Sequence, residues 1–322
     1  MKIIVWLLLC VIWGTTWFVI KVGLRDLPPI SFAGVRFISA GLILLAIIWL
    51  QKISLPKTRR EWTLLAVTGF LQFSFNYSMV FWSEQYISSG LAAVLQATIP
   101  AFGLVMAWIH LPQERITRRK IIAIILGMVG VATIFIEQLH VDNLLAFVGC
   151  VAIVAGAFAA AEASVLIKSF GASLHPASLL FGQMVCGLLP LLLVGFFKEG
   201  SPLNFRWTFS AVFAVLYLAV VGTIAAFWLY YWLLQRVEST QAMTIALVTP
   251  LVAVIIGALV LDERLLPQTY VGGTLILGSV GLITLRRQPK TLVKNIGRQT
   301  GNSSPHEATE TQISLCDATA KH

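Results

Sequence analysis

The chain has 322 residues, of which 58% are hydrophobic and 11% charged, with a mean hydropathy of +0.86 and a formal net charge of +9. A soluble domain carries about 25% charged residues, so water-soluble globular and disordered classes are excluded and the chain is read as one that lives in lipid. Nucleic-acid binding, which the positive charge alone would fit, displays basic residues on a solvated face; here they fall between apolar blocks, as membrane orientation requires.

A membrane-spanning helix needs about 20 mostly apolar residues. Apolar runs set off by charged or Pro/Gly breaks predict ten such helices, at approximately 3–23, 30–50, 62–83, 89–110, 120–136, 144–167, 175–197, 208–232, 240–261 and 269–286. The first run follows Lys2, is long, carries Trp13, Trp17 and Phe18, and lacks a small-x-small cleavage site. It is therefore read as a span and not as a secretory signal. Outer-membrane strands are excluded because the runs are twice a strand's length and do not alternate. The fold class is all-α and polytopic. Past Arg287 the composition turns to Ser, Thr, Asn, Gln and Glu, too little apolar surface to offset ordering entropy. Residues 288–322 are expected to form a disordered cytoplasmic tail.

Lys and Arg set orientation because basic loops stay on the cytoplasmic side. With the N-terminus inside, seventeen of the 23 fall in inner segments, notably Lys52 to Arg60, Arg115 to Lys120 and the tail, against five in outer ones. Arg36 lies within a helix. Both termini are expected in the cytoplasm of a multi-pass plasma (inner) membrane protein. Cys10, Cys150, Cys186 and Cys316 are dispersed without metal-ligand or redox spacing and read as small hydrophobes.

The two halves of the chain match each other. The fourth helix carries Ser89, Ala93, Gln96, Pro100, Gly103 and Ala107 on one face. Shifted by 150, the ninth carries Ser239, Met243, Ala246, Pro250, Ala253 and Gly257. Glu114-Arg115 matches Glu263-Arg264, Gly127-x-x-Gly130 matches Gly278-x-x-Gly281, and Lys21 and Pro29 match Lys168 and Pro176. Residues 1–137 and 144–287 read as two five-helix copies. Five is odd, so the second copy enters the membrane from the opposite side, the inverted-repeat plan that places a substrate site at the midplane and permits alternating access.

At this point the chain resembles a ten-helix, EamA-like member of the drug/metabolite transporter superfamily. The resemblance rests on Trp13-Gly14-Thr15-Thr16-Trp17 with Lys21, Pro29 with Arg36, the paired prolines Pro100 and Pro250, and the acidic-Arg turns, over residues 3 to about 287. It implies a bundle with an elongated central cavity, no cofactor, and export or exchange of small metabolites, often amino acids or related compounds.

Polar groups in the hydrocarbon core usually face a cavity or another helix. The first helix presents Trp13, Thr16 and Trp17, the third Gln72 and Asn76 with Tyr77, the fourth Gln96, and the eighth Trp228, Tyr230 and Tyr231. These are the substrate-binding candidates, since amide and indole donors over aromatic walls suit a small amphipathic solute. Interhelical packing and interface anchoring are the competing readings. Pro100 and Pro250 are expected to kink their helices. Glu162, the acidic residue deepest in an apolar helix, is a candidate proton carrier or a partner for Arg236 or Lys168. Arg36 and Glu84 share a depth and are expected to pair as a tether or gate. His110 and His175 read as interfacial, and the glycine pairs as close packing sites, with homodimerisation the alternative.

Intramembrane proteolysis would want a G-x-S-x-G, an H-E-x-x-H or paired intramembrane aspartates, and the chain has none. A channel would need a continuous polar lining. A nucleotide-sugar or lipid-intermediate carrier would favour several cavity cations, yet Arg36 alone lies well inside a span. The expected function is a secondary carrier of a zwitterionic or neutral amphipathic metabolite, with lipid and the solute as its partners and no nucleic acid.

Overall fold

The structure, a computed structural model, describes residues 1–87, 89–139, 141, 143–261 and 266–284. The predicted disordered tail and the Glu263-Arg264 turn lie outside them. Ten helical bodies follow in order: α1 (Lys2–Gly23), α2 (Pro29–Leu50), α3 (Arg59–Ser83), α4 (Ser89–Gln96 then Ile99–His110), α5 (Arg118–Ile134), α6 (Leu144–Phe170), α7 (Pro176–Glu199), α8 (Phe209–Leu234), α9 (Ser239–Met243 then Ile245–Leu261) and α10 (Pro267–Thr284). No strand occurs among the described residues. Eight of the ten are long and apolar enough to cross a membrane. The other two, α5 and α10, have 17 and 18 residues and pack against each other. Large apolar side chains such as Phe197 and Phe209 project outward, the arrangement a hydrocarbon solvent favours.

Helix starts follow from local chemistry. Thr58 and Glu61 form a capping box at α3, while Thr117, Asn143 and Thr208 accept from backbone N–H groups at the starts of α5, α6 and α8. Pro29 and Pro176 open α2 and α7, where the missing N–H costs nothing. Gly200 ends α7 at φ +85°, a left-handed conformation open to glycine.

The packing pairs recur across the two halves. α1 packs on α9 as α6 packs on α4, α1 on α8 as α6 on α3, and α8 on α2 as α3 on α7, while α2 meets α7 and α5 meets α10. Exchanging each helix for the one five places along leaves this set unchanged.

Two spans leave the α register at matching places: Phe70–Asn76 in α3 and Val220–Ala225 in α8 are π-helical. Such turns release carbonyls that lipid cannot satisfy. In α8 the Thr223 hydroxyl donates to Leu218 O at 2.8 Å, and in α3 the Ser74 hydroxyl donates to Gly187 O of α7. Around the two prolines expected to kink their helices, Pro100 and Pro250, the backbone runs differently. α4 breaks after Gln96, just before Pro100, whereas α9 breaks at Thr244 and continues as helix through Pro250. There the Thr249 hydroxyl reaches Ala246 O, the carbonyl that Pro250 cannot serve, at 3.5 Å. The small stripe on α4 allows close crossing: a Cβ on Gly103 would lie 2.0 Å from Met243 Sδ of α9.

The glycine pairing also differs from expectation. A Cβ on Gly130 of α5 would meet Gly272 O at 2.7 Å and one on Gly272 would meet Gly130 O at 2.4 Å, so the tight approach uses Gly272, earlier on α10 than Gly278. A Cβ at Gly278 would meet nothing nearer than Leu126 at 3.7 Å. Overpacking against backbone costs about 1–3 kcal/mol. Gly272→Ala is therefore expected to lower the Tm of the detergent-solubilised protein, with Gly278→Ala close to wild type, as thermal unfolding would measure.

Candidate functional site

At the centre of the bundle α1, α3, α4, α6, α8 and α9 enclose a cavity of about 170 Å³, with Arg36 reaching in from α2. An apolar cavity of about 150 Å³ is enough to admit benzene, so this one is scaled to a small metabolite. α1 contributes Trp13, Thr16, Trp17 and Ile20, and α3 contributes Gln72, Asn76, Tyr77, Val80 and Phe81. Ala93, Gln96 and Ile99 come from α4, Ala160 and Ser164 from α6, and Phe227 and Tyr230 from α8. The last wall is α9, with Ala242, Met243, Ile245, Ala246, Thr249 and Pro250.

The polar groups of this wall are arranged by the irregular segments. Gln72 and Asn76 stand on the π-helical stretch of α3, both buried. Gln96, at the last residue before the α4 break, donates from Nε2 to Asn76 Oδ1 at 3.4 Å. Four residues on stands Pro100, which has no N–H to offer the Gln96 carbonyl. Gly156 of α6 makes the room for Asn76, because a Cβ there would sit 2.9 Å from Asn76 Oδ1. The Trp13 ring lies 5.5 Å from Phe227 and 5.3 Å from Tyr230, and the Tyr230 hydroxyl donates to Ser164 Oγ at 3.1 Å.

Arg36 is 2% exposed. Its Nε donates to Thr223 Oγ1 at 2.9 Å and its Nη2 to Gly222 O at 3.2 Å, both in the π-helical stretch of α8. The guanidinium carbon lies 5.2 Å from the Phe37 ring centre and 5.3 Å from that of Tyr77. Nη1 has no hydrogen-bond partner. The described wall holds no carboxylate and no other charged side chain.

Eight of the ten residues predicted to touch substrate thus share one cavity wall: Trp13, Thr16, Trp17, Gln72, Asn76, Tyr77, Gln96 and Tyr230. The other two, Trp228 and Tyr231, do not line it. Trp228 turns to the other side of α8 and meets His175 edge to face, with ring centres 5.4 Å apart. Tyr231 is buried with its hydroxyl donating to Gln183 Oε1 of α7. The face of α8 that does reach the cavity carries Phe227 and Tyr230, an i, i+3 spacing that separates Tyr230 from its aromatic neighbours Trp228 and Tyr231. Pro250 lines the cavity and Pro100 does not. Ser164 and Thr249 were not singled out from the sequence, because a lone hydroxyl in an apolar run carries no signal of its facing.

The charged expectations are redirected. Arg36 bonds to α8 instead of pairing with Glu84. Glu162 stands off the cavity wall and pairs through Oε1 with His110 Nε2 at 3.1 Å, tying α6 to the end of α4; neither Lys168 nor Arg236 is its partner. Lys168 instead joins Glu114 at 3.2 Å, and Glu114 accepts from the Ser239 backbone N and hydroxyl at 2.9 and 2.5 Å. Lys168 also donates to Leu234 O and Val237 O, and Lys120 pairs with Glu238 at 2.9 Å. This cluster laces together the end of the bundle where α4, α6 and α8 finish and α9 begins.

The profile of the EamA-like transporter family matches residues 1–136 and again residues 147–285. The chain belongs to this family. It is 31% identical over 284 residues to the inner membrane transporter YedA of Escherichia coli K12, covering 86% of this chain and 88% of that one, and 26% identical over 266 residues to the transporter YoaV of Bacillus subtilis, covering 82% and 90%. A probable amino-acid metabolite efflux pump of Escherichia coli K12 is 29% identical over 279 residues, covering 84% and 90%. A crystal structure with a TM-score of 0.76 and 17% identity covers 88% of this chain and 96% of its own, a likeness of fold alone.

This EamA-like protein is a multi-pass membrane transporter. Glu84, half-buried just past the end of α3, has its carboxyl pushed up to about 7 by burial, with Lys21 acting in the opposite sense. The folded protein therefore holds this proton to higher pH than the unfolded chain does, and stability falls as pH rises from the ordinary carboxylate range towards 7. Glu84→Gln is expected to raise Tm relative to wild type at about pH 8 and to leave it unchanged near pH 4, where both side chains are neutral; a pH series of melting curves reads the difference.

Proposed function

We propose that this transporter moves a small amphipathic metabolite, an amino acid or a related compound, by alternating access and in the export direction, with both termini in the cytoplasm. The observation that carries the reading is the central cavity in which helices of both halves put amides, indoles and phenols around a space of metabolite size. Amide donors and acceptors over aromatic walls bind a solute with one polar and one apolar end. The likeness to a probable amino-acid metabolite efflux pump favours export of amino-acid-related solutes.

Two inverted five-helix copies, residues 1–137 and 144–287, supply the mechanism. Support comes from the two family matches, the recurrent packing pairs and the paired π-helical stretches. The cluster around Glu114, Lys168 and Ser239 acts as the closure of one end. Glu263, Lys21 and Ser89 occupy the corresponding positions in the sequence of the other copy. Exchange between two such closures around a fixed site is alternating access.

Purified protein reconstituted into sealed vesicles is expected to move solutes from a panel of amino acids, purines and their analogues faster than empty vesicles do. Asn76→Ala or Gln96→Ala should slow that flux roughly two- to tenfold, the range for losing one neutral hydrogen bond, while the protein still elutes as a folded species. Wild-type flux at the empty-vesicle rate throughout the panel would sink the carrier reading.

A further inference from the structure

We propose that Arg36 anchors the carboxylate of the transported solute, an amphipathic monocarboxylate whose anion supplies the counter-charge this buried guanidinium lacks. The inference rests on the carrier reading above and narrows its substrate class.

A guanidinium does not surrender its proton in a protein, and a buried charge is costly unless it is paired and hydrogen-bonded. Arg36 is 2% exposed and lines the cavity, yet the ion pairs among the described residues involve Glu162, Glu238 and Glu114, none of them with Arg36. Its hydrogen bonds are to a hydroxyl and a carbonyl, both neutral. Tyr77, which stands beside the guanidinium as its electrostatic neighbour and as a further side-chain hydrogen-bonding group, is a neutral phenol. A fixed anionic partner is thus absent among the described residues, and a mobile one in the cavity completes the pair.

The geometry prepares the group for an oxyanion. Thr223 and Gly222 hold Nε and Nη2, and the rings of Phe37 and Tyr77 flank the guanidinium, which leaves the remaining nitrogen, Nη1, as the unsatisfied donor. Gly222 keeps the clamp close: a Cβ there would lie 2.9 Å from Thr16 Cγ2 and 3.5 Å from Arg36 Nη2. One cation and no carboxylate in the wall balance one negative charge, which disfavours sugar phosphates and other multiply charged anions. Nothing acidic waits for an α-amine, so the amine is dispensable; the faces of Trp13, Trp17 and Tyr230 accommodate it or an apolar chain equally.

The test separates binding from flux. Full-length purified protein is melted with leucine, phenylalanine and threonine, each beside its deaminated acid and its amide. Acids with or without the amine are expected to raise Tm, and the amides to need at least roughly tenfold higher concentration for the same shift, the range for a hydrogen bond to a charged group. Arg36→Gln should erase the preference for acid over amide. Arg36→Lys, which keeps the charge and loses the fork, should retain it in weakened form, and so guards against a Gln variant that fails to fold. Amides as effective as acids, no response to any acid, chloride and nitrate as effective as the acids, or an Arg36→Gln protein that still discriminates would each overturn the anchor. Acid-selective binding without vesicle flux would keep the anchor and remove the carrier reading; flux without acid selectivity would do the reverse.

Discussion

Lipid hydrocarbon offers no hydrogen-bond partner to a backbone, so each departure from α-helix inside a span has to be covered by the protein itself. In this chain the departures gather around the cavity. The π-helical stretches of α3 and α8, the break of α4 at Gln96 and the break of α9 at Thr244 occur where the central helices meet. Hydroxyls serve carbonyls at each: Thr223 donates to Leu218 O, Thr98 to Leu95 O at 2.6 Å and Thr244 to Gln241 O at 2.7 Å within their own helices, while Ser74 of α3 donates across to Gly187 O of α7. The irregular backbone turns amides towards the centre, so the cost of leaving the α register and the creation of a polar site are one event.

Packing outside the cavity runs the other way. α5 and α10 approach until glycine backbones touch, and Gly69 of α3 leaves no room for a side chain against Gln183 of α7, whose carbonyl oxygen lies 2.3 Å from where a Cβ would stand. At the centre, bulky rings from α1, α3 and α8 stand between helices and hold them apart. Small residues close the periphery and aromatic ones prop open the middle. A bundle built this way has a firm scaffold around a site whose walls are rotatable side chains.

Charge is distributed with similar economy. Glu114 caps the start of α9 while pairing with Lys168, so one carboxylate serves a helix terminus and an ion pair together. Of the acidic side chains in ion pairs, Glu114 and Glu238 stand near helix ends, and Glu162 inside α6 reaches His110 at the end of α4. Arg36 differs, since a cation held by neutral acceptors at the cavity wall is costly in the empty protein and useful once an anion enters.

The amino-acid sequence by itself determined that the chain is a ten-helix membrane bundle, because span length and apolar runs are local properties dictated by the thickness of a bilayer. It also revealed the stripe on α4 and α9: Ala93, Gln96, Met243, Ala246 and Pro250 recur at helical spacing and line the cavity wall. Trp13, Thr16 and Trp17 were legible for the same reason. Which partner a polar side chain meets was decided only by tertiary structure, because depth along one helix says nothing about which neighbour stands across from it. Thus Arg36 turns to α8 and not to Glu84, Glu162 to His110, and Tyr231 to Gln183. The π-helical stretches were equally hidden: Phe70–Asn76 and Val220–Ala225 have no residue that forbids an α-helix, and only contacts from α2 and α7 make the extra backbone turn worth its lost hydrogen bonds.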